Sequence, residues 1–296
     1  MYDSWLDSYF SQLLSEIDER CSQESKCNIY ETFRDINDDD LWNILLLKQY
    51  TVYPNILRSL PDLPDEGLQK EWVGQSGLSL SKQTLSFYTK VKNFYRCYGN
   101  KPMDQSLVLD FGCGWGRFLR CFAKDVPREQ LFGCDPDTNI LEECRRLGIP
   151  GILARSDYLP RSLPFLEKFD IIYAFSVFTH LSEKCHTQCL ETLHTAMVPG
   201  GLLILTIRPR SFLDIFSSAP VKRSRKEMTR YYNAYDRGEF VFIPHMRTPI
   251  DGEVTYGDTC IPYQYVLRHW TRLFEIVDVG LLMDDIYQVP IVLRRC

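Results

Sequence analysis

Leu107–Phe118 reads LVLDFGCGWGRF. A β-forming apolar run ends on an acid, Asp110, and is followed by glycines at 112, 114 and 116. A strand that only had to turn would need one glycine. Three of them, spaced by two, imply a backbone that must approach something closely, because glycine admits positive φ and lacks the Cβ that would hold a neighbour away. The apolar run after Gly116 reads as a helix. Strand, glycine turn and helix in that order place a ligand site beyond the C-terminal end of a parallel strand, against the blander reading of a tight turn with no ligand.

Outward from this turn, strands and helices alternate. QLFGCD, GILARSD, FDIIYAFS and GGLLILTIR read as strands, with TNILEECRRLG and SEKCHTQCLETLHTAM as helices between them. Such alternation predicts an α/β fold, a doubly wound and mostly parallel sheet with helices on both faces. Residues 208–261 interrupt the pattern as an insertion after the fifth strand; a helix (YQYVLRHWTRLF) and two strands (EIVDVGLL, IYQVPIVLRR) then complete a core over 105–296. Residues 1–104 read instead as a helical cover. Trp5, Leu6, Tyr9, Phe10, Leu13, Leu14 and Ile17 recur at helical spacing, with Asp3 or Ser4 as the cap. DDDLWNILLLKQY starts a second helix, its acids suited to the positive end of the helix dipole, and Leu80–Tyr98 a third.

Composition excludes several classes. The net charge of −5 builds no field for nucleic acid or an anionic membrane. No uncharged apolar run approaches the roughly 18 residues of a membrane span. The N-terminus lacks the basic-then-apolar layout of a secretion signal. Eleven cysteines in no regular framework read as reduced thiols. The expectation is a soluble, cytoplasmic protein.

The choice of ligand turns on two side chains. A dinucleotide fingerprint would need its third glycine at position 117, where Arg117 stands. Asp110 would repel pyrophosphate and suit a cationic ligand. S-adenosylmethionine carries a sulfonium and an ammonium and no phosphate.

VLDFGCGWGRF resembles the first motif, D/E-x-G-x-G-x-G, of the class I S-adenosylmethionine-dependent methyltransferases, and the resemblance continues in order. LFGCDPD is similar to the family's second-strand end, ARSDYLP to its third, FDIIYAFSVFTHL to its fourth strand and active-site loop, and PGGLLILTIR to its fifth. The resemblance implies a Rossmann-like sheet of seven strands whose last runs antiparallel. It implies cofactor contacts from Asp110, Gly112, Cys113, Gly114 and Gly116. Asp135 and Pro136 would lie at the ribose, the acid about 20 residues past the last glycine as ribose binding requires. Asp157 and Tyr158 would lie near the adenine, and Phe175 and Ser176 at the loop facing the transferred methyl. The product would be S-adenosylhomocysteine.

Other readings of single residues stay open. Asp135 also reads as a helix cap, and Asp157 as a solvated loop acid. His180 follows FSVFT and reads either as a general base for a hydroxyl acceptor or as a residue ordering its loop. Arg208 and Tyr256 are candidates for the acceptor pocket, Tyr256 equally for core. Trp72, in EWVGQSG, reads as a lid on the cofactor or a packed corner. RPRSFLDIFSSAPVKRSRKEMTRYY carries seven basic residues against two acids, which fits a phosphate or RNA surface or a solvated helix face. Cys185, His186 and Cys189 share a helix without the further ligands a metal needs, so no metal is expected.

The leading function is O-methylation of a small molecule, sugar or natural product, that is, of a small-molecule or glycan acceptor rather than nucleic acid or a membrane. The alternatives are an RNA or protein methyltransferase using the basic insertion, a non-catalytic scaffold on the cofactor fold, and a nicotinamide oxidoreductase.

Overall fold

The computed structural model describes residues 2–23, 28–36, 38–218, 222–245 and 254–296. The central sheet is built from β1 (Val108–Phe111), β2 (Leu131–Asp135), β3 (Ile152–Arg155), β4 (Phe169–Ala174), β5 (Met197–Ile207), β8 (Phe274–Val279) and β9 (Val289–Arg295). Their order is β3-β2-β1-β4-β5-β9-β8. The first five are mutually parallel, and β9 runs antiparallel between β5 and β8, as the resemblance implies. Strand order reverses between β1 and β4, so a crevice opens past their C-terminal ends.

Alternate residues of each strand enter opposite cores, as the strand period of two requires. Val108, Ile171, Tyr173, Leu202 and Ile204 face one side, together with α7 (Arg117–Phe122) and α8 (Thr138–Arg146). Leu109, Ile172, Leu203 and Leu205 face the other, against α9 (Glu183–Ala196) and α11 (Tyr263–His269).

The N-terminal cover belongs to the first of these cores. It comprises α1 (Asp3–Gln23), α2 (Ile29–Arg34), α3 (Asp39–Leu47), α4 (Pro54–Ser59), α5 (Glu66–Val73) and α6 (Gly77–Tyr98), three more helices than periodicity suggested. Asp3 does not cap its helix. Its Oδ1 accepts the Thr51 N–H at 2.6 Å and the Val52 N–H at 3.3 Å. Asp38 caps α3 by accepting the Leu41 N–H, at 2.8 Å, which frees Asp39 for tertiary work. Asp39 Oδ1 accepts from Lys92 and Lys124, each at 2.7 Å, and so ties α3 to α6 and to the turn after α7. The two ammoniums hold the Asp39 carboxyl below its ordinary range against the opposing effect of burial.

The insertion is a satellite with its own small core of Leu213, Phe216, Met228, Tyr231, Val241 and Ile243. A 3-10 turn (Arg210–Ser217) leads to α10 (Arg225–Asp236), which starts at a capping box of Ser224 and Glu227. A hairpin of β6 (Val241–Pro244) and β7 (Gly257–Cys260) follows. Residues 219–221 and 246–253 of the insertion lie outside the described residues.

Candidate active site

The glycine turn leaves β1 with all three glycines at positive φ: 76° at Gly112, 52° at Gly114 and 81° at Gly116. Their tasks differ. A Cβ on Gly112 would lie 2.4 Å from Val177 Cγ2, and one on Gly116 2.5 Å from Ile149 Cγ2, so these two let protein pack against protein. A Cβ on Gly114 would meet nothing nearer than Trp72, at 3.9 Å, and would project into a cleft of about 810 Å³. Only Gly114 leaves room for a ligand.

That cleft gathers Asp110, Gly112, Cys113, Gly114, Asp135, Pro136, Asp157, Tyr158, Phe175 and Ser176 in its wall; Gly116 stands behind it as packing. Asp135 ends β2 with Oδ2 accepting the Gly114 N–H at 2.9 Å and Oδ1 accepting the Asp137 N–H at 3.0 Å. Capping of α8 falls to Asp137, which accepts from Asn139 and Ile140. Asp135 is therefore free of the cap role, and each of its oxygens keeps a lone pair. Asp157 and Tyr158 are exposed on the loop after β3. Cys113 is buried, held as a thiol by the Cys144 sulfur beside it and by burial.

Asp110 sits at the root of the cleft, 1 % exposed, with Oδ2 lacking a hydrogen-bond partner. Burial pushes its carboxyl well above the usual range, while the Arg117 guanidinium pulls it back and Asp135 adds to the rise. Between the ordinary carboxylate range and the raised value the folded chain holds a proton that the unfolded chain has released, so stability falls as pH rises through that window. Asp110→Asn is expected to flatten this slope from about pH 4 upward. A variant whose melting temperature tracks wild type over that range would contradict it. Asp135 and Asp285, raised in the same direction by burial, account for the slope that remains.

Past Phe175 the wall changes character. Ser176 adopts φ 59°, a left-handed conformation that costs a non-glycine residue free energy unless its surroundings enforce it. Here they do: its N–H donates to Thr206 Oγ1 at 2.9 Å, and Gln288 Nε2 donates to its Oγ at 2.9 Å. Gln288 Oε1 in turn accepts from Thr206 Oγ1 at 2.6 Å, which closes the ring.

His180 stacks on Tyr256, with centroids 4.9 Å apart and planes 2° from parallel. Its Nδ1 donates to the Gly257 carbonyl at 2.7 Å, and its Nε2 accepts from Arg208 Nη2 at 3.1 Å. Burial and the Arg208 charge lower its pKa to about 4, so the ring is neutral near pH 7. Arg208 is also committed: Nη1 donates to the Thr179 carbonyl and to Asp258, and the guanidinium lies over Phe212. Asp258 Oδ2 accepts from His245 Nε2 at 2.7 Å. All of His180, Arg208, Phe212, Tyr256, Asp285, Tyr287 and Gln288 line the same cleft.

Three other sequence features can be placed in the structure. Trp72 faces Gly114 across the cleft instead of filling a corner. Within the basic segment, Arg210 is bidentate on Asp236, just beyond it, and Arg223 lies near Glu227. His186 is enclosed by Phe178, Phe240 and Trp270 with neither ring nitrogen hydrogen-bonded, and among the described residues no cluster could hold a metal ion. Gln83, Asp285 and Gln288 were not foreseen. Arg117 had served only to exclude a dinucleotide.

A family profile described as a methyltransferase domain matches residues 108–201, the span from β1 through the start of β5. That match lies on a Rossmann-like sheet. The cleft opens at the switch point between β1 and β4, with walls from the matched span and from residues on either side of it. The chain is 28 % identical over 141 residues to a trans-aconitate 2-methyltransferase of Sinorhizobium fredii, covering 42 % of this chain and 53 % of that one. It is 24 % identical over 148 residues to a malonyl-[acyl-carrier protein] O-methyltransferase of Legionella pneumophila, covering 48 % and 51 %. The chain thus spans about half the length of the curated relatives it matches. A solved S-adenosylmethionine-dependent methyltransferase from Clostridium acetobutylicum aligns at TM-score 0.49 and 11 % identity, covering 72 % of this chain and 92 % of that one. No helix among the described residues is long and apolar enough to cross a membrane.

Proposed function

We propose that this chain is an S-adenosylmethionine-dependent methyltransferase acting on the oxygen of a small acceptor, a natural product or a sugar. The observation that carries the reading is the pairing of an open cradle at Gly114 with an unpartnered carboxyl oxygen on Asp110 in one cleft. The residues present fit the cofactor. Gly114 offers backbone approach, Asp135 offers lone pairs for ribose hydroxyls, and Asp157 and Tyr158 border the space for the base. When bound, the cofactor supplies a methyl carbon activated by sulfonium charge. The protein's own contribution is alignment and exclusion of water.

The acceptor half is aromatic and its charges are internally paired. Phe212, Tyr256, Tyr287 and Trp72 present rings, and Arg208 is matched by Asp258. Such walls suit a neutral acceptor with a flat face. Of two relatives' names, trans-aconitate 2-methyltransferase agrees with a small acceptor and malonyl-[acyl-carrier protein] O-methyltransferase agrees with oxygen, there on an acyl group held by a carrier protein.

We assign His180 to positioning. A general base for a hydroxyl needs a free lone pair within reach of the proton, and Arg208 holds the one on Nε2. His180→Ala is expected to lower turnover about tenfold, short of the roughly 10²–10⁴ that loss of a general base brings. Cofactor affinity should not change. His180→Gln, which keeps a donor and an acceptor, should restore most of the rate. Failure of glutamine to rescue, with an acid limb removed from the pH–rate profile, would return His180 to the base role.

The whole reading is tested by calorimetric titration of S-adenosylhomocysteine against NADH, then by transfer of labelled methyl to panels of phenols, sugars, amines and carboxylic acids. Binding of NADH alone would refute the cofactor, and label in amines alone would refute the oxygen acceptor.

A further inference from the structure

One buried amide joins two opposite charges in the cleft wall. Gln83, on α6 of the N-terminal cover, accepts on Oε1 from Arg117 Nη1 at 2.6 Å, and its Nε2 donates to Asp285 Oδ2 at 2.6 Å. The three residues come from three separate elements: the cover, the first residue after the glycine turn, and the loop between β8 and β9. All three line the cleft that holds Gly114. Among the described residues, Arg117 and Asp285 form no direct salt bridge with each other, so the glutamine holds them apart instead of letting them collapse together. Arg117 packs over the rings of Phe118 and Phe175, 4.5 and 4.9 Å from their centroids, which fixes the plane of its guanidinium. Asp285 is fixed by the Tyr287 N–H on Oδ1 at 3.2 Å.

A glutamine that only filled space would be a poor choice here, because a buried amide has to be desolvated and a leucine would not. What the amide adds is a set spacing between a cation and an anion that face one cavity. A guanidinium recognises a carboxylate through parallel N–H donors, and a carboxylate accepts from an ammonium. Together they match the charged end of an α-amino acid. We propose that Arg117, Gln83 and Asp285 form a receptor for the amino-acid end of the cofactor. Arg117 takes its carboxylate, Asp285 takes its ammonium, and Gln83 sets the distance between them. The inference rests on the cofactor reading above and extends it: the N-terminal cover becomes part of the binding site.

Burial lowers the Arg117 pKa to about 10 against the pull of Asp110, and raises that of Asp285 against Arg208 and Arg117, so each ion gains from a further counter-charge. A zwitterion supplies both counter-charges at once. The receptor would then select for the complete cofactor over nucleosides that lack its tail.

Three probes separate the parts: S-adenosylhomocysteine, its decarboxylated analogue, which keeps only the amine, and 5′-methylthioadenosine, which has neither charge. Calorimetry on the full chain is expected to rank them in that order of affinity. Arg117→Gln should weaken S-adenosylhomocysteine by about ten- to hundredfold, the loss of one charged hydrogen bond, and leave the decarboxylated analogue within about twofold. Asp285→Asn should weaken both amine-bearing probes by a similar factor and leave 5′-methylthioadenosine unchanged. If 5′-methylthioadenosine weakens in step with the others, or if neither variant affects S-adenosylhomocysteine, the receptor is refuted. A wild-type chain that binds all three probes equally also refutes it, but leaves the cofactor reading standing. A wild-type chain that binds none refutes the cofactor reading itself. Should Arg117→Gln fail to fold, Asp285→Asn, on a half-buried loop residue, decides the matter alone.

Discussion

Gly114→Val is expected to lower S-adenosylhomocysteine affinity by at least about a hundredfold while leaving the chain folded, whereas Gly116→Val is expected to damage the fold first. Both positions are left-handed, so each valine carries a backbone penalty of about 1–2 kcal/mol. The difference lies in what the new side chain meets. At Gly116 the first new atom would lie 2.5 Å from Ile149 Cγ2, and relieving that clash costs about a further 1–3 kcal/mol. At Gly114 the nearest atom is 3.9 Å away on Trp72, and the side chain enters the space claimed for the ligand. Denaturant unfolding and calorimetry on the two variants check this. Gly114→Val binding S-adenosylhomocysteine like wild type would show that the cradle is not used, and equal destabilisation in the two variants would contradict the packing difference.

This division of labour was only half legible in the chain. The run from Val108 to Gly116 announces a strand and a close approach, because β-forming residues and glycines act locally. Which glycine faces the ligand depends on Val177 and Ile149, far along the chain, and no spacing rule reaches them. Asp135 was legible as a cleft residue from its distance past the glycines, while its rival role as a cap went to Asp137, a difference of two residues decided by backbone geometry. The short helices α2, α4 and α5 span six to eight residues, too little for a 3.6-residue period to stand out. Arg117 and Asp39 were read through local rules, as a broken fingerprint and as a helix-dipole acid. Their partners are Gln83, Lys92 and Lys124, distant residues brought in by tertiary packing. His180 was legible as a cleft residue from its place after β4, but its chemistry was not. That chemistry is set by Arg208 and by the Gly257 carbonyl, which only the fold brings to its two nitrogens.

Trp42→Ala should be the most destabilising single change in the cover, at about 3–5 kcal/mol. Trp42 is fully buried, 5.4 Å from the Phe33 ring and 6.0 Å from that of Tyr30. Its Nε1 donates to the Cys121 carbonyl at 3.0 Å, on the helix that leaves the glycine turn. Arg120 on the same helix reaches back to the Leu46 and Pro61 carbonyls, and Lys124 to Asp39, so α3 and α7 are joined at several points. Trp42→Phe keeps most of the volume and removes the hydrogen bond, and should cost less than alanine, about 1–2 kcal/mol from the unpaired carbonyl and lost contacts. Because cover and sheet share one core, denaturant unfolding followed by fluorescence and by circular dichroism should give one coincident transition, shifted in both variants. Two separate transitions, with only the earlier one moved by Trp42→Ala, would mean that the cover folds by itself. It would then no longer follow that α3 holds α7, and through it the glycine turn, in the position the ligand requires.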